Sequence, residues 1–303
     1  MLDGALVAAA RAAGFGTAKV GDLDPWFRSN LVERELYARP YLLQDDAFVA
    51  LDPDSGTWLA FNDVNHVSIR GAHPGLELES VLGRVLAVDA LLSSGIGGTW
   101  AFDAEFGFIM AEAAYCGSGL SASVTLHTPA LVLSGLAETA FKRAMDAGFV
   151  VTGSYSLNDA SSGSLFEIAL PGVYRDPERA AAARLAAAAK ALAEYERRAR
   201  SQMLERKPWE ILDVIGRALG LASNVRLVSR DEAAEIISGL RLGLACGVLE
   251  GLGLAEASDL WPSSRIRPMQ AGGAGDEPEY ASRARILRDA ARNVCFTERY
   301  MNV

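Results

Sequence analysis

Ala47-Phe48-Val49-Ala50-Leu51-Asp52-Pro53-Asp54-Ser55-Gly56-Thr57-Trp58-Leu59-Ala60-Phe61 holds two β-prone runs around a cluster of turn-forming residues. Branched and aromatic side chains favour a pleated, half-buried strand, and Asp-Pro-Asp-Ser-Gly favours a reversal, so the stretch predicts an antiparallel hairpin. The same pattern recurs downstream. Residues 99–102 and 106–110 flank Asp103-Ala104-Glu105, and residues 149–155 and 165–170 form a third candidate pair. Residues 121–127 read as one more strand. Helical patterns over 78–92 and 130–147 interrupt these runs. Strands joined by short turns and broken by helices imply an α+β fold, an antiparallel β-sheet flanked by α-helices.

On either side of that core the chain reads as helical. The first forty residues suggest helices with turns at 14–16 and 21–25. Beyond Tyr174, Asp176-Pro177-Glu178 supplies an acceptor, a proline and an acid in the order a helix start prefers. The alanine-rich helix that follows is expected to reach Glu205, with the charged positions on its far side forming a solvated face. Ser229 and Glu232 have capping-box spacing ahead of Ala233. Ala271-Gly272-Gly273-Ala274-Gly275 reads as a hinge before a last basic helix over 280–293. The expected segmentation is a helical lead over 1–45, a catalytic-type domain over 46–260, and a hinge with a C-terminal helix over 261–303.

Composition narrows the function. The 303 residues are 50% hydrophobic and 22% charged, enough to bury a core. A net charge of −9 argues against nonspecific binding to nucleic acid. The longest uncharged apolar run, 242–249, is too short to span a bilayer, and the N-terminus lacks a basic signal-peptide region, so a cytoplasmic location and no membrane contact are expected. Cys116, Cys246 and Cys295 are scattered, and His66, His73 and His127 lack ligand spacing, so no metal site is expected. Gly117-Ser118-Gly119-Leu120-Ser121-Ala122 spells a dinucleotide fingerprint, but a strand follows it where that motif requires a helix. No phosphate-binding P-loop or nucleophile elbow is present.

Three stretches resemble the catalytic domain of the ATP:guanido phosphotransferases, and among these the bacterial protein arginine kinases. Phe61-Asn62-Asp63-Val64-Asn65-His66-Val67-Ser68-Ile69 is similar to the family's Asn-Glu-Glu-Asp-His-(Leu/Ile)-Arg-Ile. Gly117 to Val124, with Leu126-His127-Thr128-Pro129-Ala130-Leu131, is similar to Gly-Thr-Gly-(Leu/Met)-Arg-Ala-Ser-Val and His-Leu-Pro-Ala-Leu. Gly148-Phe149-Val150-Val151-Thr152-Gly153-Ser154-Tyr155 is similar to Val-Arg-Gly-x-Tyr-Gly-Glu. The resemblance implies a guanido kinase fold, of the glutamine synthetase-like type, with a helical C-terminal region.

It also implies where a nucleotide site would lie: His66, Ser68, Ser121, His127 and Thr152. Three of these, Ser68, Ser121 and Thr152, stand where the family has phosphate-binding arginines. Val64 matches the catalytic glutamate, Glu112 the reactive cysteine, and Leu157 the glutamate after the third motif. None of the matched catalytic groups is intact. The family's C-terminal phosphoarginine motif, Arg-Asp-x-x-Arg-Ala, falls on Glu279-Tyr280-Ala281-Ser282-Arg283-Ala284 and keeps only Arg283 and Ala284.

The expectation that follows is a pseudokinase with a regulatory or scaffolding role and no cofactor. From the resemblance, its partners would be an active arginine kinase, that kinase's zinc-binding activator or the Clp protease machinery, with a homodimer or heteromer formed through the C-terminal helices. One alternative is an active protein arginine kinase using Mg-ATP through relocated phosphate-binding residues. Another is a binding module for arginine or phosphoarginine.

Overall fold

A computed structural model describes residues 2–52, 54–96, 100–111, 113, 116–153, 162–170, 177–271 and 278–301. The elements in chain order are α1 (Leu2–Ala12), β1 (Gly16–Lys19), α2 (Pro25–Glu33), β2 (Phe48–Asp52), β3 (Thr57–Asp63), β4 (His66–Gly71), α3 (Leu78–Ile96), β5 (Phe102–Asp103) and β6 (Gly107–Phe108). There follow β7 (Ser123–His127), α4 (Pro129–Leu133), α5 (Ala137–Asp146), β8 (Val150–Gly153), β9 (Leu165–Ala169) and α6 (Glu178–Arg206). The C-terminal part holds α7 (Pro208–Asn224), α8 (Arg230–Ala245), β10 (Leu249–Glu250), α9 (Leu254–Ala271), α10 (Glu279–Ala291) and β11 (Cys295–Phe296). The chain divides into two compact units, residues 1–122 with 170–187 and residues 123–169 with 188–303.

The first unit is built on a four-stranded antiparallel sheet in the order β1-β2-β3-β4. The quoted hairpin is its centre, with Val49 opposite Ala60 and Leu51 opposite Trp58. Both sheet faces are covered, which explains a strand that is apolar at consecutive positions. Ala50, Leu59 and Phe61 pack with Leu6, Ala10 and Leu92 from α1 and α3. Val49 and Ala60 pack on the other face with Leu31, Tyr37, Tyr41 and Leu42. Each fully buried side chain as large as Phe61 contributes about 1.5–3 kcal/mol. Two tyrosines pin the hairpin from outside the ladder. Tyr37 Oη lies 2.8 Å from the Leu59 carbonyl and 3.2 Å from that of Ala50. Tyr41 Oη donates to the Phe48 carbonyl at 2.6 Å and accepts from the Phe61 amide at 3.1 Å.

Strand β1 lies where the sequence suggested helices and turns. Its four residues carry no strand pattern of their own, and pairing of Gly16 to Lys19 with β2 makes the strand. The second sequence hairpin is much shorter than expected, only β5 and β6, because Phe108 turns its remaining backbone bonds to Gly117.

The second unit has a three-stranded antiparallel sheet in the order β7-β9-β8. The single helix expected over 130–147 is two helices. Gly135 sits at φ +72°, a left-handed position that ends α4 before α5 begins. Helices α7 to α10 enclose the largest core, centred on Ile211, Ile215, Ile237, Leu240, Trp261 and Leu287. Gly239 lets α7 and α8 approach closely, since a Cβ there would lie 2.4 Å from Ala218 Cβ. The capping box at Ser229 and Glu232 forms as read from the sequence. The hinge residues 272–275 and Asp176 lie outside the described residues. Among the described residues no helix is long and apolar enough to cross a membrane.

Candidate functional site

The turn between β3 and β4 carries the first matched motif. A bulge between Phe61 and Asp63 and left-handed backbone at Asn62 (φ +64°) and His66 (φ +70°) shape it. Val64 is 69% exposed, so it points to solvent and packs into no core. Its amide donates to Asp63 Oδ1 at 2.8 Å. Ser68 donates to Asp63 Oδ2 at 3.1 Å, and Arg70 Nη2 lies 3.8 Å from the same oxygen. The carboxylate of Asp63 is therefore the anchor of the turn, and the hydroxyl at position 68 is committed to it.

The glycine segment of the second motif works as a turn. The Phe108 amide donates to the Gly117 carbonyl at 2.7 Å, and a Cβ on Gly107 would lie 2.3 Å from that oxygen. Gly119 adopts φ +67°. Ser121 follows, exposed and outside any helix, and Ala122 leads from it into β7, so no helix here presents its amides to a phosphate. His66, Ser68 and Ser121 belong to the first unit, His127 and Thr152 to the second. Thr152 on β8 stands directly opposite Glu167 on β9, and Thr125 on β7 faces Glu167 from the other side. Side chains so paired lie about 4.5–5.5 Å apart at Cβ. Glu112 and Leu157 lie outside the described residues.

His127 has a structural setting that the sequence did not disclose. Arg241 Nη1 lies 2.8 Å from its Nδ1, and Ser238 Oγ lies 2.8 Å from its Nε2. Arginine only donates, so Nδ1 must accept and the proton sits on Nε2, donating to Ser238. Trp261 meets the imidazole edge-on at 5.2 Å, and Arg241 lies over the same indole at 5.8 Å. Burial, then the charges of Arg241 and Arg200, hold the imidazole well below its ordinary pKa, so His127 is neutral. Arg241 Nε continues the network to Ser258 at 2.9 Å.

Helix α6 contributes a buried acid to this neighbourhood. Glu196 is 1% exposed and so lies off the solvated face of that helix. Its oxygens accept from the amides of Ala130 at 3.1 Å and Leu131 at 2.9 Å, and Arg200 Nε lies 3.2 Å from Oε1. Burial pushes its pKa up to about 7 against the lowering effect of those amides and of Arg200 and Arg241. The only sequence signal was the Glu196-to-Arg200 spacing of four, which is equally common on solvated helices.

The phosphoarginine-motif positions open α10. Arg283 is 2% exposed and donates from Nε to the Ser264 carbonyl at 2.9 Å and from Nη1 to the Val228 carbonyl at 3.1 Å. Its Nη2 pairs with the Glu279 carboxylate, one turn back. The guanidinium lies 5.8 Å from the centre of the half-exposed Tyr280 ring, and Ala284 is buried in the helical core. Among the described residues no cluster of His, Cys, Asp and Glu could hold a metal ion.

Comparison with known proteins now adds to this geometry. Residues 208–294 match the family described as protein-arginine kinase McsB C-terminal domain. Curated proteins named protein-arginine kinase are similar over most of the chain. One from Bacillus cereus is 27% identical over 281 residues, covering 92% of this chain and 79% of its own length. One from Symbiobacterium thermophilum is 31% identical over 232 residues, covering 76% and 65%. Among solved structures, a lombricine kinase aligns with a TM-score of 0.57 at 16% identity, over 67% of this chain and 59% of that one. The substrate-free duplicated taurocyamine kinase from Schistosoma mansoni aligns with a TM-score of 0.51 at 16% identity, over 65% of this chain. This chain spans only 28% of that duplicated protein. These two likenesses establish a guanido kinase fold, the α+β architecture with antiparallel sheets and a helical C-terminal region. Because residues 9–199 match the ATP:guanido phosphotransferase C-terminal catalytic domain, well over half of the chain, the protein belongs to the ATP:guanido phosphotransferase family.

Proposed function

We propose that this chain is a catalytically silent guanido phosphotransferase that acts as a regulatory or scaffolding subunit, a pseudokinase. The observation that carries the reading is the charge at the positions matched to phosphate-binding arginines. Ser68 is bonded to the carboxylate of Asp63, and Thr152 stands opposite the carboxylate of Glu167. At each of these positions, taken within its own unit, a phosphate would meet a hydroxyl neighboured by a carboxylate where the family resemblance calls for a guanidinium group. The residues present do not fit the phosphates of Mg-ATP at these positions. Each charge-assisted hydrogen bond contributes roughly 1.5–3 kcal/mol, so losing three removes on the order of 5 kcal/mol. That converts a micromolar affinity to millimolar or weaker. Val64, in place of the matched glutamate, supplies no carboxylate to orient or deprotonate a guanidinium.

The engaged guanidinium of Arg283 weighs against the phosphoarginine-module reading, because its donors already hold two carbonyls and Glu279. Partners remain a proposal drawn from the family: an active arginine kinase, its zinc-binding activator or Clp machinery, in the cytoplasm. The same holds for a dimer through the C-terminal helices and for the segmentation at 45/46 and 260/261.

The test is a thermal-shift titration with Mg-ATP beside a phosphoarginine assay on the whole chain. Binding to the native state alone would stabilise it by RT ln(1 + [L]/Kd), easily visible at micromolar affinity. We expect no shift at low-millimolar Mg-ATP and no phosphoarginine. A shift of several degrees, or turnover, overturns the reading in favour of an active kinase with relocated phosphate-binding groups.

A further inference from the structure

The β5–β6 hairpin presents apolar side chains where the fold does not call for them. Phe102 is 61% exposed, Phe106 55% and Ile109 46%. The neighbouring β3–β4 turn adds the exposed Val64, and the Ala111 amide, donating to Asn65 Oδ1 at 2.8 Å, ties the hairpin to that turn. Two strands of two residues each would not hold this shape alone. The hairpin is braced instead. The backbones of Phe108 and Gly117 exchange bonds of 2.7 and 3.2 Å, and Phe108 meets Phe102 edge-on at 5.3 Å. At the tip, Asp103 Oδ1 accepts the amides of Glu105 at 2.8 Å and Phe106 at 3.1 Å. A fixed turn thus holds two aromatic rings in water, where polar side chains would serve the fold equally well. Single exposed apolar residues are ordinary, but four on two adjoining turns form a patch of the kind that marks an interaction site.

The charge around the patch decides what fits it. Residues 45 to 112 hold eleven acids against two arginines, Arg70 and Arg84, and no lysine. Arg70 Nη2 lies 3.8 Å from Asp63, and Arg84 is bonded to Ser80 on its own helix. Glu105 at the hairpin tip is exposed, and so is Asp46, which accepts from Asn62 at 3.0 Å. A second copy of the chain would set the same acidic rim against this one, and like charges oppose that pairing. We propose that the β5–β6 hairpin, with the β3–β4 turn, is a docking surface for a protein partner that presents aliphatic anchors within a lysine- or arginine-rich segment. Phe102 and Phe106 are the anchors on this side: rings on a braced turn lose little conformational freedom on binding and exclude water over a large area. The acidic rim selects the sign of the partner's charge. An enzymatically active chain would carry the same surface, so the inference stands apart from the absence of turnover.

Three synthetic peptides of equal length test this on the full chain: leucines among lysines, the same leucines among glutamates, and the same lysines with serine for each leucine. Fluorescence anisotropy reads the binding, and hydrogen exchange reads its place. We expect the leucine–lysine peptide to bind at least about tenfold more tightly than either control, to weaken with added salt and to slow exchange over residues 101–111. Phe102→Ser combined with Phe106→Ser should weaken that binding about tenfold or more. Should that double variant fail to fold, Glu105→Lys at the exposed tip takes its place, with a loss of about threefold expected. Equal binding of the glutamate peptide, no binding at millimolar peptide, protection confined to other residues, or a variant that binds as the parent does would each overturn the proposal. So would a dimer, seen by sedimentation, that Phe102→Ser with Phe106→Ser abolishes, because a second copy would then be the occupant.

Discussion

Replacing Arg283 by alanine tests whether the phosphoarginine-motif positions serve the fold or a ligand. The guanidinium is buried, with two of its donors on backbone carbonyls that belong to different segments, Val228 before α8 and Ser264 within α9. Truncation leaves both oxygens unpaired in the interior, at about 1–3 kcal/mol each. It also removes two buried methylenes of the stem, about 0.8 kcal/mol each. Loss of the Glu279 pair adds little, because that carboxylate is 55% exposed and water replaces its partner. The total is about 5 kcal/mol, comparable to the whole stability of a small domain. Arg283→Lys keeps the stem and one donor group and should lose about 2 kcal/mol. Urea unfolding followed by tryptophan fluorescence and circular dichroism gives both values. A loss below about 1 kcal/mol for Arg283→Ala would refute the structural role. A rise in melting temperature of the unaltered protein with free phosphoarginine, abolished in Arg283→Lys, would refute the claim that the guanidinium is already spent.

Two further expectations use other features. His127 has its folded pKa depressed below the ordinary 6.5, so its contribution is present above pH 6.5 and lost as pH falls below it; His127→Gln should flatten that acid-side loss and uncover the opposite slope from Glu196, in denaturation midpoints measured from pH 5 to 8. Gly239→Ala should cost about 1–3 kcal/mol by forcing α7 and α8 apart, and a variant as stable as the parent would show that the close approach at Ala218 is not required.

The parts of the fold legible in the sequence were those set by neighbours in the chain. The hairpin at 47–61 depends on turn residues between two runs, the start of α8 on Ser229 and Glu232, and α6 on a long alanine-rich stretch; each is a local signal. Strand β1 was missed because only β2, thirty residues on, makes Gly16 to Lys19 extended. The break at Gly135 was missed because a helical pattern continues on both sides of it. At the candidate site, the motif positions were readable, but their chemical surroundings were not. Asp63 behind Ser68 is five residues away and could be guessed; Glu167 opposite Thr152, Arg241 on His127 and Glu196 under α4 are set by tertiary packing across long stretches of chain. Arg283 looked like a remnant of a ligand pocket because burial, which decides its role, has no signature in a single sequence.

The division of the chain into units has a consequence for how the protein can be made. The path leaves the first unit after residue 122, returns at 170 and departs again after 187. Neither unit is one continuous stretch. During synthesis the first unit therefore waits for residues 170–187, and by then the strands of the second unit's sheet, including its central β9, have already emerged. The two bodies cannot mature strictly one after the other as beads on a string do. A gene cut at any single point leaves at least one fragment lacking part of its own unit.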